Sequence, residues 1–399
     1  MGDFFYNLKL YIREYKWELI LTICMFSNLY QQLPVWLYYI DWIAFIYAIQ
    51  KFQAKTAGPR TRLTWSMIVL ICITTALSGI IEYRFAMMCI LLYITLATTS
   101  YDFYLFKVRF LFVSMIGYVF TAFLNFYAHL AGINMRSWSS TSDMIDFSGF
   151  TWHGLWLGAA CGIANIYILY KFYHFYREDR KGLSFIYLGI LFISFLVTIW
   201  AGSRSALAAS VLGMGCLLML ITENMGNSIK LLIGFGILAM LLMPFFEDNA
   251  ERIISKQTYQ EKIGKTSRDE LWTERIEEFK SSPLIGVGFG VFGVGDNKHG
   301  GRTESGSGWL SVLSQTGIVG FLIIILIMKR AIYPISELRE NERLALLTCL
   351  LAFLAILAVF EGYLFQSGWY LCLVTWLIIS ILDDYKYYEE LEFDDYTYF

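Results

Sequence analysis

The chain has 399 residues, of which 57% are hydrophobic and only 16% charged, with a formal net charge of −2. A soluble domain carries roughly a quarter charged residues, so this balance excludes an ordinary water-soluble enzyme. A net charge near −2 says nothing useful about nucleic acid, and no such partner is expected.

Apolar runs long enough to cross a hydrocarbon core of roughly 30 Å recur along the whole sequence. They predict spans at 17–32, 34–50, 63–81, 84–100, 107–130, 150–170, 184–201, 205–221, 229–246, 309–328, 344–360 and 367–382. The runs are continuously apolar and do not alternate, which argues against a barrel. The expected fold is all-α, a polytopic transmembrane helical bundle of about twelve spans in one integral membrane domain over 1–399. One large extracytoplasmic, partly helical loop, 247–308, separates spans nine and ten, and an acidic, Tyr-rich cytoplasmic tail covers 383–399. The first span follows Lys9, Arg13 and Lys16 without a small-residue cleavage site, so it reads as retained.

Orientation follows from Lys and Arg in the short connections, which are held on the cytoplasmic side. With both termini inside, the inner segments carry nineteen of them and the short outer loops three: Arg84, Arg136 and Arg204. The large loop then faces outward. All seven cysteines fall within predicted spans, so no disulfide framework is expected even in an oxidising exterior. Glu82, Arg84, His129, Arg136, His153, Arg204 and Glu361 fall at or beyond the outer surface.

Arg204 is pinched between two apolar runs with almost no loop to hold it in water. A charge at such depth is costly and tends to be paired or to meet a ligand. The alternative is an arginine snorkelling at a tight turn. Further along, Ser267-Arg268-Asp269-Glu270 forms a capping box and Pro283 a stop, which predicts a helix from Arg268 to about Lys280. At 100° per residue, Arg268, Trp272 and Arg275 share a stripe beside Ile276 and Phe279. Two guanidiniums and an indole suit a sugar phosphate, since the planar fork of Arg matches phosphate oxygens and aromatic rings stack on sugars. A solvated amphipathic helix lying on the bilayer is the competing reading.

The glycine run from Gly286 to Gly293 is not a nucleotide loop, because no Lys-Ser/Thr follows and no strand-then-helix context surrounds it. Its glycines fit close backbone approach and tight turns. His299, Arg302 and Glu304 come next, before Trp309 returns the chain to the membrane. A carboxylate or imidazole near several arginines is the chemistry of a general base beside an anionic leaving group. No outward His/Asp/Glu cluster has metal-ligand spacing, so no metal or other cofactor is expected.

These segments, in this order, resemble the bacterial O-antigen ligase and polymerase superfamily of membrane glycosyltransferases. The likeness is carried by Phe147-Ser148-Gly149-Phe150-Thr151-Trp152-His153, by Gly202-Ser203-Arg204-Ser205, and by Ser267-Arg268 through Trp272, Arg275 and Pro283-Leu284-Ile285-Gly286-Val287-Gly288-Phe289-Gly290. It ends with Glu304-Ser305-Gly306-Ser307-Gly308-Trp309-Leu310 ahead of Gly317-Ile318-Val319-Gly320. The resemblance implies a metal-independent transferase in the bacterial plasma membrane, working on its outer face with a polyprenyl-diphosphate-linked oligosaccharide as donor and as acceptor. Carried over by position, Arg204 and Arg275 would grip the diphosphate, with Arg268 and Arg302 in support. Trp272, His153, Arg136 and Trp309 would contact substrate. Membrane lipid surrounds the site, and a chain-length regulator is a candidate partner. Ligases resembling this chain place a His-Asn pair where Gly306 and Ser307 stand here, so Glu304 becomes the expected base and His299 the second candidate. That departure favours a polymerase over a ligase acting on lipid A core. A lipid-linked sugar flippase, or a structural or sensor protein, are the readings from other classes.

Overall fold

A computed structural model describes residues 12–56, 58–135, 147–222, 267–300 and 306–388. The expected span at 229–246, the loop up to Thr266 and the tail beyond Tyr388 lie outside the described residues, as do Arg136, Arg302 and Glu304.

The described chain is helical. In order come α1 (Lys16–Phe26), α2 (Tyr38–Lys51), α3 (Gly58–Ser78), α4 (Arg84–Leu92), α5 (Tyr101–Leu130), α6 (Gly154–Arg177) and α7 (Lys181–Trp200). They are followed by α8 (Arg204–Ile221), α9 (Ser267–Ser281), α10 (Gly308–Arg330), α11 (Ile335–Glu340), α12 (Glu342–Phe360) and α13 (Tyr370–Tyr388). A two-residue hairpin, β1 (Val291–Phe292) and β2 (His299–Gly300), is antiparallel. Seven of the described helices, α3, α5, α6, α7, α8, α10 and α12, are long and apolar enough to cross a membrane. The protein is a multi-pass helical membrane protein.

Four of the expected spans are not among these seven. The runs at 17–32 and 34–50 hold helices of 11 and 14 residues, about 16 and 21 Å of rise, the second entered directly from a 3-10 turn, Val35–Leu37. The helix stops at Phe26, Tyr30 makes an isolated bridge to Thr151, and Pro34 opens the next turn. Hydropathy registers the apolar content of this stretch but not the broken backbone. The run at 84–100 forms nine helical residues and a π-helical turn, Tyr93–Ala97, before Thr98 becomes extended. The run at 367–382 becomes α13, in which every residue from Tyr370 to Asp384 is buried. A helix covered all round sits at the centre of a bundle of spans.

Two isolated bridges mark the ends of the bundle: Tyr30 with Thr151 at one, Lys55 with Thr99 at the other. The helix α9 and the hairpin sit at the first, here the loop end. The second, the far end, gathers Arg60, Lys107, Arg330, Asp383 and Asp384 in a buried ion cluster. Arg60 lies 2.7 Å from Asp384 and 3.3 Å from Asp383, Arg330 reaches Asp383 at 3.0 Å, and Lys107 contacts Asp384. The two carboxylates grouped with the acidic tail in the sequence are therefore inside the last helix, each no more than 1% exposed.

Small residues set the spacing of the central helices. A side chain at Gly162 would come within 2.5 Å of the Phe353 ring, and one at Gly158 within 2.9 Å of Ser203. Such stripes let backbones approach where lipid gives no hydrophobic drive for association. Asn165 joins the same contact by donating to Thr198 at 2.9 Å and Ser210 at 3.2 Å.

Candidate functional site

The helix α9 begins and ends where capping box and proline place it, with Asp269 and Glu270 in its first turn favouring the positive end of its dipole. Its basic stripe is half-buried at Arg268 and Trp272 and enclosed at Arg275. Arg275 is 1% exposed, 2.8 Å from Glu278 one turn later, 3.5 Å from the Ser314 hydroxyl of α10, and 4.2 Å above the Phe292 ring. Glu278 is fully buried, and its other oxygen accepts the Gly293 N–H at 2.7 Å. One buried ion pair thus ties α9, α10 and the hairpin together. Burial raises the Glu278 carboxyl above its usual range, against the opposing pull of Arg275 and the Gly293 N–H.

The glycine run lies against a break in α10. Gly317 has φ 63° and ψ −166°, which interrupts the helix. There Ile318 N–H donates to Pro283 at 2.9 Å and Val319 N–H to Leu284 at 3.2 Å, while Val287 N–H donates to Ser314 at 2.8 Å. The Gln315 side chain accepts from Gly290 N–H at 3.1 Å. A Cβ on Gly286 would sit 2.3 Å from the Gln315 backbone, and one on Gly317 2.3 Å from the Leu284 backbone. The two segments fit because each presents a glycine to the other. Phe289 is buried in the core, 5.2 Å from the Phe365 ring. Irregular backbone among membrane helices is tolerated where protein covers it, as here.

At the rim, Arg268 lies 2.7 Å from Glu361 and over the Phe360 ring, so α9 is clamped to the end of α12. The Trp272 indole N–H donates to the Gly306 carbonyl at 2.9 Å, and Gly308 N–H donates to the Glu361 carbonyl at 2.9 Å. Arg204 stands exposed in the first turn of α8, behind a Ser203 cap. His153 caps α6, its Nδ1 accepting from Leu155 N–H at 3.0 Å. Since Gly158 of α6 meets Ser203 and Gly162 meets Phe353 of α12, the starts of α6 and α8 and the end of α12 share the loop end.

The structure therefore brings Arg268, Trp272 and Arg275 onto α10 and α12, and puts Arg204 and His153 at the same end of the bundle. It gives Arg204 and Arg275 different surroundings, one exposed and one enclosed by its acidic partner. Trp309 donates its indole N–H to the Ala355 carbonyl at 3.0 Å, bracing α10 to α12. His299 is exposed on β2, with Nδ1 3.1 Å from the Asn297 carbonyl. Arg136, Arg302 and Glu304 lie outside the described residues. Among the described residues no group of three His, Cys, Asp or Glu could hold a metal ion. Sequence reasoning missed Glu278 and Ser314. The first was legible as an i,i+3 partner of Arg275, but nothing local signalled its burial.

A family model described as O-antigen ligase matches residues 189–325. That stretch contains Arg204, the α9 stripe, Glu278, the glycine run and the break at Gly317. No curated protein and no solved structure matches the chain.

Proposed function

We propose that this protein, which carries a region of the O-antigen ligase/polymerase superfamily at 189–325, transfers glycan from a polyprenyl-diphosphate carrier at the loop end of its bundle. The observation that carries the reading is the docked stripe of α9: Arg268, Trp272 and Arg275 are held against α10 and α12 by named partners. Guanidiniums fixed near a low-dielectric surface stabilise the charge a diphosphate gains as the glycosidic bond breaks.

In this reading Arg204, exposed at the rim, is the first contact of the diphosphate, with Arg268 and Arg302 in support. Arg275 supports the site from beneath, through Glu278 and the hairpin. Glu304 takes the proton of the acceptor hydroxyl, with His299 as the second candidate. Trp272 grips the carbonyl of Gly306, two residues further along the chain. Trp272, His153, Arg136 and Trp309 contact the glycan. The reaction needs no metal, and the loop end faces outward from the bacterial plasma membrane because Lys and Arg crowd the other end. Gly306 and Ser307, in place of a His-Asn pair, favour polymerase over ligase.

The test is purified protein incubated with a polyprenyl-diphosphate oligosaccharide, with and without a lipid A core acceptor. A ladder of products without core supports the polymerase, attachment to core alone the ligase, and no turnover of a matched substrate removes the transferase reading. Arg204→Ala is expected to lower turnover by about a hundredfold or more while leaving the folded protein intact, as loss of a preorganised electrostatic contact does. Wild-type product lengths from that variant would count against the diphosphate role.

A further inference from the structure

The far end of the bundle holds a cavity of about 540 Å³ between α5, α6, α12 and α13. That lies within the roughly 300–1,000 Å³ range of small-ligand sites. Its walls are the last turns of α6 and α13 and the first turns of α5 and α12, so it is at the opposite end from α9 and the hairpin.

The wall changes character with depth. Arg177, Glu178, Glu340, Asn341 and Arg343 stand at the rim, where α6 ends and α12 begins. Val108, Phe112, Leu347 and Ile381 form an apolar floor, Phe112 being eight residues, or about 12 Å, further along α5 than Tyr104. Tyr104, Tyr170 and Tyr385 supply hydroxyls between the two, and Asn341 donates to the Tyr385 hydroxyl at 2.7 Å. Polar rim, tyrosine belt and apolar floor follow the order of a bilayer leaflet from headgroup to acyl chain.

The charges select the headgroup. Glu342 meets Arg177 at 2.5 Å and His174 at 3.3 Å, and the other ring nitrogen of His174 is 3.3 Å from Glu178. Glu340 and Arg343 add one charge of each sign at the rim. With Arg180 also 3.6 Å from Glu178, three carboxylates stand beside three guanidiniums, and a set of both signs is met better by a ligand carrying both a phosphate and an ammonium than by a purely anionic one. We propose that this cavity binds a zwitterionic aminophospholipid. Its phosphate lies toward Arg343 and Arg177 and its primary ammonium toward Glu340, Glu178 and the tyrosine hydroxyls. The glycerol and first acyl carbons rest on the apolar floor.

The site is independent of the transferase reading, and its test reads binding and not turnover. The full-length protein in detergent micelles is titrated with phosphatidylethanolamine, phosphatidylglycerol or phosphatidylcholine and observed by native mass spectrometry. Phosphatidylethanolamine is expected to be retained at least about fivefold better than either of the others. Leu347→Trp, which fills the floor, is expected to abolish that preference. Glu340→Lys, a change at an exposed rim residue, is expected to shift the preference at least about fivefold toward phosphatidylglycerol. Equal retention of the three lipids by the wild type, or a preference unchanged in Glu340→Lys, overturns the proposal. So does a preference unchanged in a folded Leu347→Trp protein.

Discussion

Arg275 and Glu278 show how a pair of side chains can be visible in a sequence and still be misjudged. Their spacing of three residues on a helix predicts contact, and on a solvated helix that contact contributes only a few tenths of a kcal/mol. Here both are buried, and truncating one leaves the other charged without its partner. Arg275→Ala is expected to destabilise the protein by about 3–5 kcal/mol, read as a lowered unfolding temperature in detergent. A change indistinguishable from that of an exposed-residue control would show the pair to be solvated. Glu278 also carries a pH signature. Burial, its largest influence, sets the folded carboxyl above its ordinary range. The proton is then bound more tightly in the folded than in the unfolded state, so this share of stability is complete below the ordinary Glu range and lost as pH rises through the raised value. Unfolding temperature should fall from mildly acidic to neutral pH in the wild type and fall less in Glu278→Gln. Parallel profiles would exclude Glu278 as the titrating group.

At the scale of elements, α9 and α10 contrast. The bounds of α9 follow from its capping box and from Pro283, both local signals, and the structure returns them as Ser267–Ser281. The break in α10 has no such signal, because Gly317 sits inside an apolar run that reads as one continuous span. The break exists because the backbone of Leu284 passes within reach of position 317, and only a residue without a Cβ, at φ 63°, fits there. Gly317→Ala or Gly286→Ala should each lower stability by at least about 1–3 kcal/mol, from positive φ and from contact with backbone. Gly182→Ala, in α7 with nothing within 4 Å, should be neutral or stabilising by about 0.4–1 kcal/mol. Thermal unfolding of the three variants side by side checks this, and equal effects would discredit the close approach.

Across the whole molecule, the cluster of Arg60, Lys107, Arg330, Asp383 and Asp384 links α3, α5, α10 and α13 at the far end. Asp384→Asn strips the carboxylate from two buried cations at once and is expected to cost at least about 3–5 kcal/mol, visible as loss of monodisperse protein in size-exclusion chromatography. Behaviour like the wild type would mean that water reaches the cluster. The sorting of Lys and Arg segments in the sequence anticipated that these groups share one end, since charge is excluded from the hydrocarbon wherever the chain turns. It did not anticipate that Asp383 and Asp384 would be buried instead of solvated, because their partners lie far away in sequence, 277 positions in the case of Lys107.

The division follows from the range of the forces. Apolar content, caps and prolines act over a few residues, so the helical membrane class, the extent of α9 and the two sets of turns were determined by the sequence by itself. Whether an arginine meets water, a carboxylate or a ring depends on which distant segments fold over it. Only the tertiary structure decided that Arg275 is enclosed, that α10 breaks at Gly317, and that the last helix occupies the centre of the bundle, because each rests on contacts between residues the chain itself holds far apart.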